Sequence, residues 1–156
     1  MRRKDRAVAD SREIAAILSA CKVCHLAIPD GGAPYVVPLN FGFTLEHGAL
    51  TLYFHSAKQG RKLELLSRRP CVGFAVSREL GDVRADEPCR SGCCYESVLG
   101  SGTAEILTDT DEKCAALTRL MQHQFGGGEI AFTHAQAEGV CVFRVVSTMF
   151  QAKRKV

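Results

Sequence analysis

Apolar side chains recur with two different periods along this 156-residue chain. Near the start, Ile14, Ile17 and Leu18 share one helical face, and Asp10 or Ser11 can accept hydrogen bonds from the free amides of a first turn. A helix beginning there is expected. From Val23 the period shortens. Residues 23–28 read as a strand that ends in the turn Pro29-Asp30-Gly31-Gly32. In residues 35–44, Tyr35, Val37, Leu39, Phe41 and Phe43 alternate with Val36, Pro38, Asn40, Gly42 and Thr44. One side of that strand belongs in a core. The other carries Pro38, with no donor, and Gly42, with no side chain, which mark an edge or a place where something approaches the backbone.

The alternation continues after Glu46-His47-Gly48. Leu50, Leu52 and Phe54 point one way, and Thr51, Tyr53 and His55 the other. Residues 60–67 fit a short helix with Leu63, Leu65 and Leu66 on its apolar side, stopped by Pro70. A strand with Val72, Phe74 and Val76 on one face spans residues 71–77, followed by a long polar loop over residues 78–91. A strand resumes near Tyr95 and runs to Ile106. A helix capped by Asp109 or Thr110 then carries Cys114, Leu117, Leu120 and Met121 on one side and ends at Gly126-Gly127-Gly128. The last strand, residues 140–146, is apolar on both faces apart from Arg144, as expected of a strand covered on both sides. Hairpins dominate and βαβ alternation is absent. The expected class is mainly β or α+β: an antiparallel, Greek-key-like barrel or sandwich with peripheral helices.

Composition narrows the class of function. Apolar residues at 46% and charged residues at 24% suit one folded domain over residues 1–156 and exclude a disordered chain. The net charge of +3 is too small to argue for a nucleic-acid partner. No apolar run is long enough to span a membrane, and the polar stretch over residues 5–13 does not read as a secretory signal, so a cytoplasmic protein is expected. On that reading the eight cysteines are reduced thiols, with Cys71, Cys114 and Cys141 placed in apolar segments as small hydrophobes.

The chemistry concentrates in His55-Ser56-Ala57-Lys58-Gln59-Gly60-Arg61-Lys62, where a strand gives way to a helix start bearing three cations. Free amides plus cationic side chains suit a phosphate. A Walker pattern is missing, which argues against nucleotide hydrolysis. Gly100-Ser101-Gly102 lies inside a strand pattern and reads as a bulge or a close strand approach. Cys21-Lys22-Val23-Cys24-His25 matches the C-x-x-C-H of covalent haem attachment, but the motif straddles a helix end and an apparent core strand. A zinc site joining Cys21 and Cys24 to Cys89 and Cys93, or Cys94, would have irregular spacing. His123 and His134 lack metal-ligand spacing and suit surface or helix-end roles. Tyr95, Glu96 and Ser97 could touch a ligand or simply open a strand.

Taken together, Met1 to Arg6, Val36-Val37-Pro38-Leu39-Asn40-Phe41-Gly42, Leu52 to Ala57 with Gly60-Arg61-Lys62, and Tyr95 to Gly102 resemble the Nim-type branch of the pyridoxamine 5′-phosphate oxidase-related flavoproteins. The resemblance runs through nearly the whole chain in the same order. It implies a split β-barrel that binds FMN, as a homodimer with flavin at the subunit interface, and an oxidoreductase acting on a small molecule. By position, Lys58, Arg61 and Lys62 would hold the FMN phosphate beside Gly60. Pro38, Leu39, Asn40 and Phe41 would run along the isoalloxazine ring, mostly through backbone. His55, Ser56 and Ala57 would flank ring and ribityl chain, and Ser97, Val98 and Gly100 would complete the pocket. His55 is the best placed general acid. A non-catalytic flavin or haem carrier is the alternative, because some relatives bind haem. Residues 78–94 and those after Gly126 follow the resemblance least, and substrate contacts are expected from them.

Overall fold

The computed structural model describes residues 3–156, so Met1 and Arg2, which open the resemblance, lie outside the described residues. A 3₁₀ turn (Lys4–Arg6) and the short strand β1 (Ala7–Val8) lead into helix α1 (Ser11–Ala20). Asp10 caps α1 by accepting from the amides of Arg12 and Glu13. Strands β2 (Val23–Ile28), β3 (Tyr35–Asn40), β4 (Gly42–Glu46) and β5 (Ala49–Ser56) follow, then α2 (Arg61–Arg68), β6 (Cys71–Val83) and β7 (Gly92–Ile106). Helices α3 (Thr110–Phe125) and α4 (His134–Glu138) precede the last strand, β8 (Cys141–Lys155). No helix among the described residues is long and apolar enough to cross a membrane.

One eight-stranded antiparallel sheet runs β3-β2-β6-β7-β8-β5-β4, with β1 added beside β8. Its two end strands, β3 and β4, are consecutive in the chain and joined through Phe41 alone. The sheet therefore curls back on itself as a split barrel, the form the resemblance implied and one of the two architectures the alternating pattern allowed. Phe41, Phe54 and Phe143 fill its centre with Leu26, Ile28, Leu50, Leu52, Val76 and Val98, and the Phe54 and Phe143 rings stack at 5.0 Å. Ile14, Ile17 and Leu18 close one side through α1. A second apolar cluster lies where α3 and α4 bring Ala116, Leu117 and Ala137 against Val142. Val142 and Phe143 are thus both buried on opposite faces of β8, the two-sided cover expected there.

Three elements differ from the sequence reading. The single strand expected over residues 35–44 is two strands, broken at Phe41 where the barrel turns its corner. A Cβ on Gly42 would lie 2.6 Å from the Leu120 backbone. At Gly42 the thin place therefore admits helix α3, while Pro38 stays exposed on the edge strand β3. The loop expected over residues 78–91 is largely a hairpin arm: β6 and β7 stay paired out to Val83 and Gly92, leaving a short connection with a 3₁₀ turn at Pro88–Arg90. Backbone pairing needs no apolar alternation, so a polar arm hides it. The last strand does not stop at Val146 but runs to Lys155, pairing with β7 and β1. Gly100-Ser101-Gly102 behaves as expected. The β7–β8 register shifts between Ser101 and Thr103, and a Cβ at Gly102 would sit 2.4 Å from the Val146 carbonyl oxygen.

Candidate functional site

The connection between β5 and α2 gathers the cations that the sequence singled out. Ser56 ends β5 in the barrel interior, donates from Oγ to the Ala57 carbonyl at 2.9 Å, and stands opposite Cys141. Ala57, Lys58 and Gln59 are exposed. Gly60 then takes φ +132°, a conformation that side-chain-bearing residues rarely adopt, and the space around it is open. Helix α2 begins there without a side-chain cap, whereas Asp10, Asp109 and Thr133 cap α1, α3 and α4. Its first amides and the positive end of its dipole stay available for an anion.

The cations divide in space. The charges of Lys62 and of Lys113, from α3, both reach the Cys141 thiol. Burial pushes that thiol above its ordinary pKa, opposed by these two ammonium groups and by Ser56. Lys58 and Lys113 both reach the carboxylate of Glu138 on α4. Arg61 turns elsewhere: it pairs with Asp30 in the β2–β3 turn and lies 5.1 Å over the Tyr35 ring. Its side chain is 64% exposed, so that pairing is one an incoming anion can displace.

A groove of about 670 Å³ opens on the outer face of β6 and β7, lined by Ala75, Val76, Ser77, Arg78, Glu79, Cys93, Tyr95, Ser97 and Leu99. Ser97 is among these residues; His55 and residues 58–62 are not. Beneath it Glu96 is buried, held at 2.6 Å by both Arg78 and Arg154. Burial raises its pKa, but the hydrogen bonds from the two arginines outweigh this and hold it below the ordinary carboxylate value.

The structure thus brings Ser56, Lys58, Gly60 and Lys62 together and sets Ser97 in a separate groove. Pro38 is exposed on the edge strand β3, while Leu39 packs half-buried against the core. The Asn40 side chain donates to the Lys22 carbonyl at 3.1 Å and to Gln124 at 3.0 Å. Phe41 is buried 4.6 Å from the His123 ring, and its carbonyl accepts from Gln124 at 2.8 Å. Val98 points into the core, and Gly100 is spared a Cβ because the Met149 carbonyl would lie 2.5 Å from it. His55 is exposed on the Tyr53 side of β5, opposite Val142. Lys113, Glu138, Arg78 and Arg154 carry no sequence motif; tertiary folding alone puts them at these sites.

The cysteine motif resolves as core. Cys21 and Cys24 are buried, and burial pushes the Cys24 thiol up to about 12. Cys89 and Cys93 are exposed on the hairpin arm, and among the described residues no group of three His, Cys, Asp or Glu side chains is placed to hold a metal. Cys71 is exposed too, contrary to its expected place in the core.

A family model described as pyridoxamine 5′-phosphate oxidase matches residues 10–153. The chain belongs to this family. A crystal structure of a proposed 5-nitroimidazole antibiotic resistance protein from Bacteroides thetaiotaomicron VPI-5482 is similar over 95% of this chain and 86% of its own, with 29% identity and a TM-score of 0.75. The flavocytochrome Anf3 from Azotobacter vinelandii is 23% identical, covers all of this chain with 72% of its own length, and has a TM-score of 0.81. A FAD and haem binding protein from Mycobacterium smegmatis is 19% identical over 96% of this chain and 73% of its own, with a TM-score of 0.82. The latter two likenesses show the shared fold. No curated protein matches the sequence. The split barrel and the family are therefore those the sequence resemblance implied.

Proposed function

We propose that this protein is an FMN-dependent oxidoreductase of the nitroimidazole reductase type. It works in the cytoplasm as a homodimer on a small-molecule substrate. The observation that carries the reading is the uncapped start of α2 with Lys58 and Lys62 beside it. Free amides and two ammonium groups fit a phosphate monoester dianion. The family match and the 29% identity to the nitroimidazole resistance protein support a redox reading.

Bound FMN would supply the electron chemistry. The chain would supply binding, orientation and shielding from water. Lys58, Lys62 and the α2 amides hold the phosphate, and Arg61 joins them on leaving Asp30. Ser56 and Ala57 border the ribityl chain. His55, next to Ser56, is the candidate proton donor. In the sheet β8 separates β5 from β7, so the cationic loop and the Ser97 groove of one protomer stand apart. Pairing of two copies through the outer face of β7 and β8 would let the groove of one complete the loop of the other.

Titration of the purified protein with FMN, followed by flavin fluorescence, tests the phosphate site. Lys62→Ala is expected to weaken FMN by ~1.5–3 kcal/mol, on the order of tenfold or more, and to leave riboflavin binding unchanged. Equal FMN affinity for the variant and the unaltered protein would refute the assignment. Reduction of the bound flavin by a nicotinamide donor and reoxidation by a nitroaromatic would separate an enzyme from a carrier.

A further inference from the structure

Helices α3 and α4 place an ion pair against the cationic loop that the family resemblance did not include. Lys113 of α3 lies 3.0 Å from the Glu138 carboxylate of α4, and Thr110 donates to the same oxygen at 2.8 Å. Glu138 precedes Cys141 by one short connection, and Cys141 pairs with Ser56, the residue that opens the loop. The Lys113 side chain is only 11% exposed, so its ammonium is held in one place, while Glu138 is half-exposed to solvent. The charges of Lys58 and Lys113 converge on Glu138, and those of Lys62 and Lys113 on Cys141. Lys113 is therefore common to both halves of the cationic group.

We propose that Lys113 is a further phosphate-binding residue of this site, and that Glu138 is an internal anion that occupies its ammonium until a phosphoryl group displaces it. This rests on the flavin-phosphate reading above. The physical logic is competition. A fixed, nearly buried ammonium without a counter-charge is costly, so the empty site keeps Glu138 on Lys113. A phosphate dianion beside the uncapped α2 brings more charge and more acceptor oxygens than one carboxylate, and takes Lys113 over. Glu138 then repels the ligand at the rim. It lowers affinity and discriminates against weaker anions such as carboxylates.

The two partners thus have opposite expected effects, which a purely structural ion pair would not give. Equilibrium titration with FMN and, separately, with riboflavin reads them on the full-length chain. Lys113→Met is expected to weaken FMN on the order of tenfold while leaving riboflavin unchanged. Glu138→Gln retains the Thr110 contact and is expected to tighten FMN about two- to fivefold, again without effect on riboflavin. Thermal melts of both variants check folding. If both variants weaken FMN, or shift FMN and riboflavin equally, the pair is structural and the proposal falls. If Lys62→Ala weakens FMN and neither Lys113→Met nor Glu138→Gln changes it, the proposal falls while the flavin-phosphate site stands. If the unaltered protein binds no FMN, both fall together.

Discussion

Glu96 shows how much a single side chain can hold in this protein. It is a buried carboxylate facing two arginines from different strands, and Arg154 also pairs with Glu13 of α1 at 2.8 Å. Glu96 thereby links the start of the hairpin arm to the last strand and the first helix. Glu96→Ala would leave both guanidinium groups without their shared partner, at an expected cost of about 2–3 kcal/mol in denaturant unfolding. The pH dependence follows from its lowered pKa. Its stabilising contribution is fully present above the unfolded value near 4.5 and is lost as pH falls through the lower folded value. Acid unfolding of the unaltered protein should therefore be steeper below that point than that of Glu96→Gln, and parallel profiles would contradict the assignment. The cysteines give a second check at this scale. A thiol reagent applied to the native protein should label Cys71, Cys89 and Cys93 and spare Cys21 and Cys24 until the chain unfolds. Rapid native labelling of Cys24 would place it outside the core.

Among the elements, β4 and α3 depend most on one position. A methyl group on Gly42 would meet the Leu120 backbone at 2.6 Å, so the strand or the helix must shift. Gly42→Ala is expected to destabilise by about 2–4 kcal/mol, measured by chemical unfolding; a loss under about 0.5 kcal/mol would show that the packing yields easily. Gly42 also marks how far the sequence could be read. Its missing side chain announced a close neighbour, but nothing local says whether that neighbour is a helix or a ligand. Strands with clean alternation, such as Leu50, Leu52 and Phe54 against Thr51, Tyr53 and His55, were legible because burial imposes the period. The outer parts of β6, β7 and β8 were not, because Glu79 and Asp82 pair through backbone while their side chains face water, and Arg78 and Arg154 turn theirs to Glu96 instead of an apolar core. The candidate site divides the same way. Lys58, Gly60 and Lys62 lie close in sequence and announce themselves. Lys113 and Glu138 arrive on helices far along the chain, and only the folded barrel sets them beside Ser56.

For the whole molecule, the outer face of β7 and β8 carries Met149 at 72% exposure, with Val146 and Leu99 also exposed. Such apolar exposure suits a subunit interface. If the protein pairs through this face, sedimentation equilibrium should give a dimer, and Met149→Glu should shift it toward monomer and loosen flavin. A monomeric unaltered protein would remove the shared-site arrangement. The claim on which the account turns is that this barrel retains a flavin by its phosphate. Loading the purified protein with FMN, passing it through a desalting column and recording the visible spectrum measures that directly. The account predicts a retained flavin band, near one FMN per chain, that Lys62→Ala reduces. A protein that emerges colourless, or that shows a Soret band and no flavin, would contradict it.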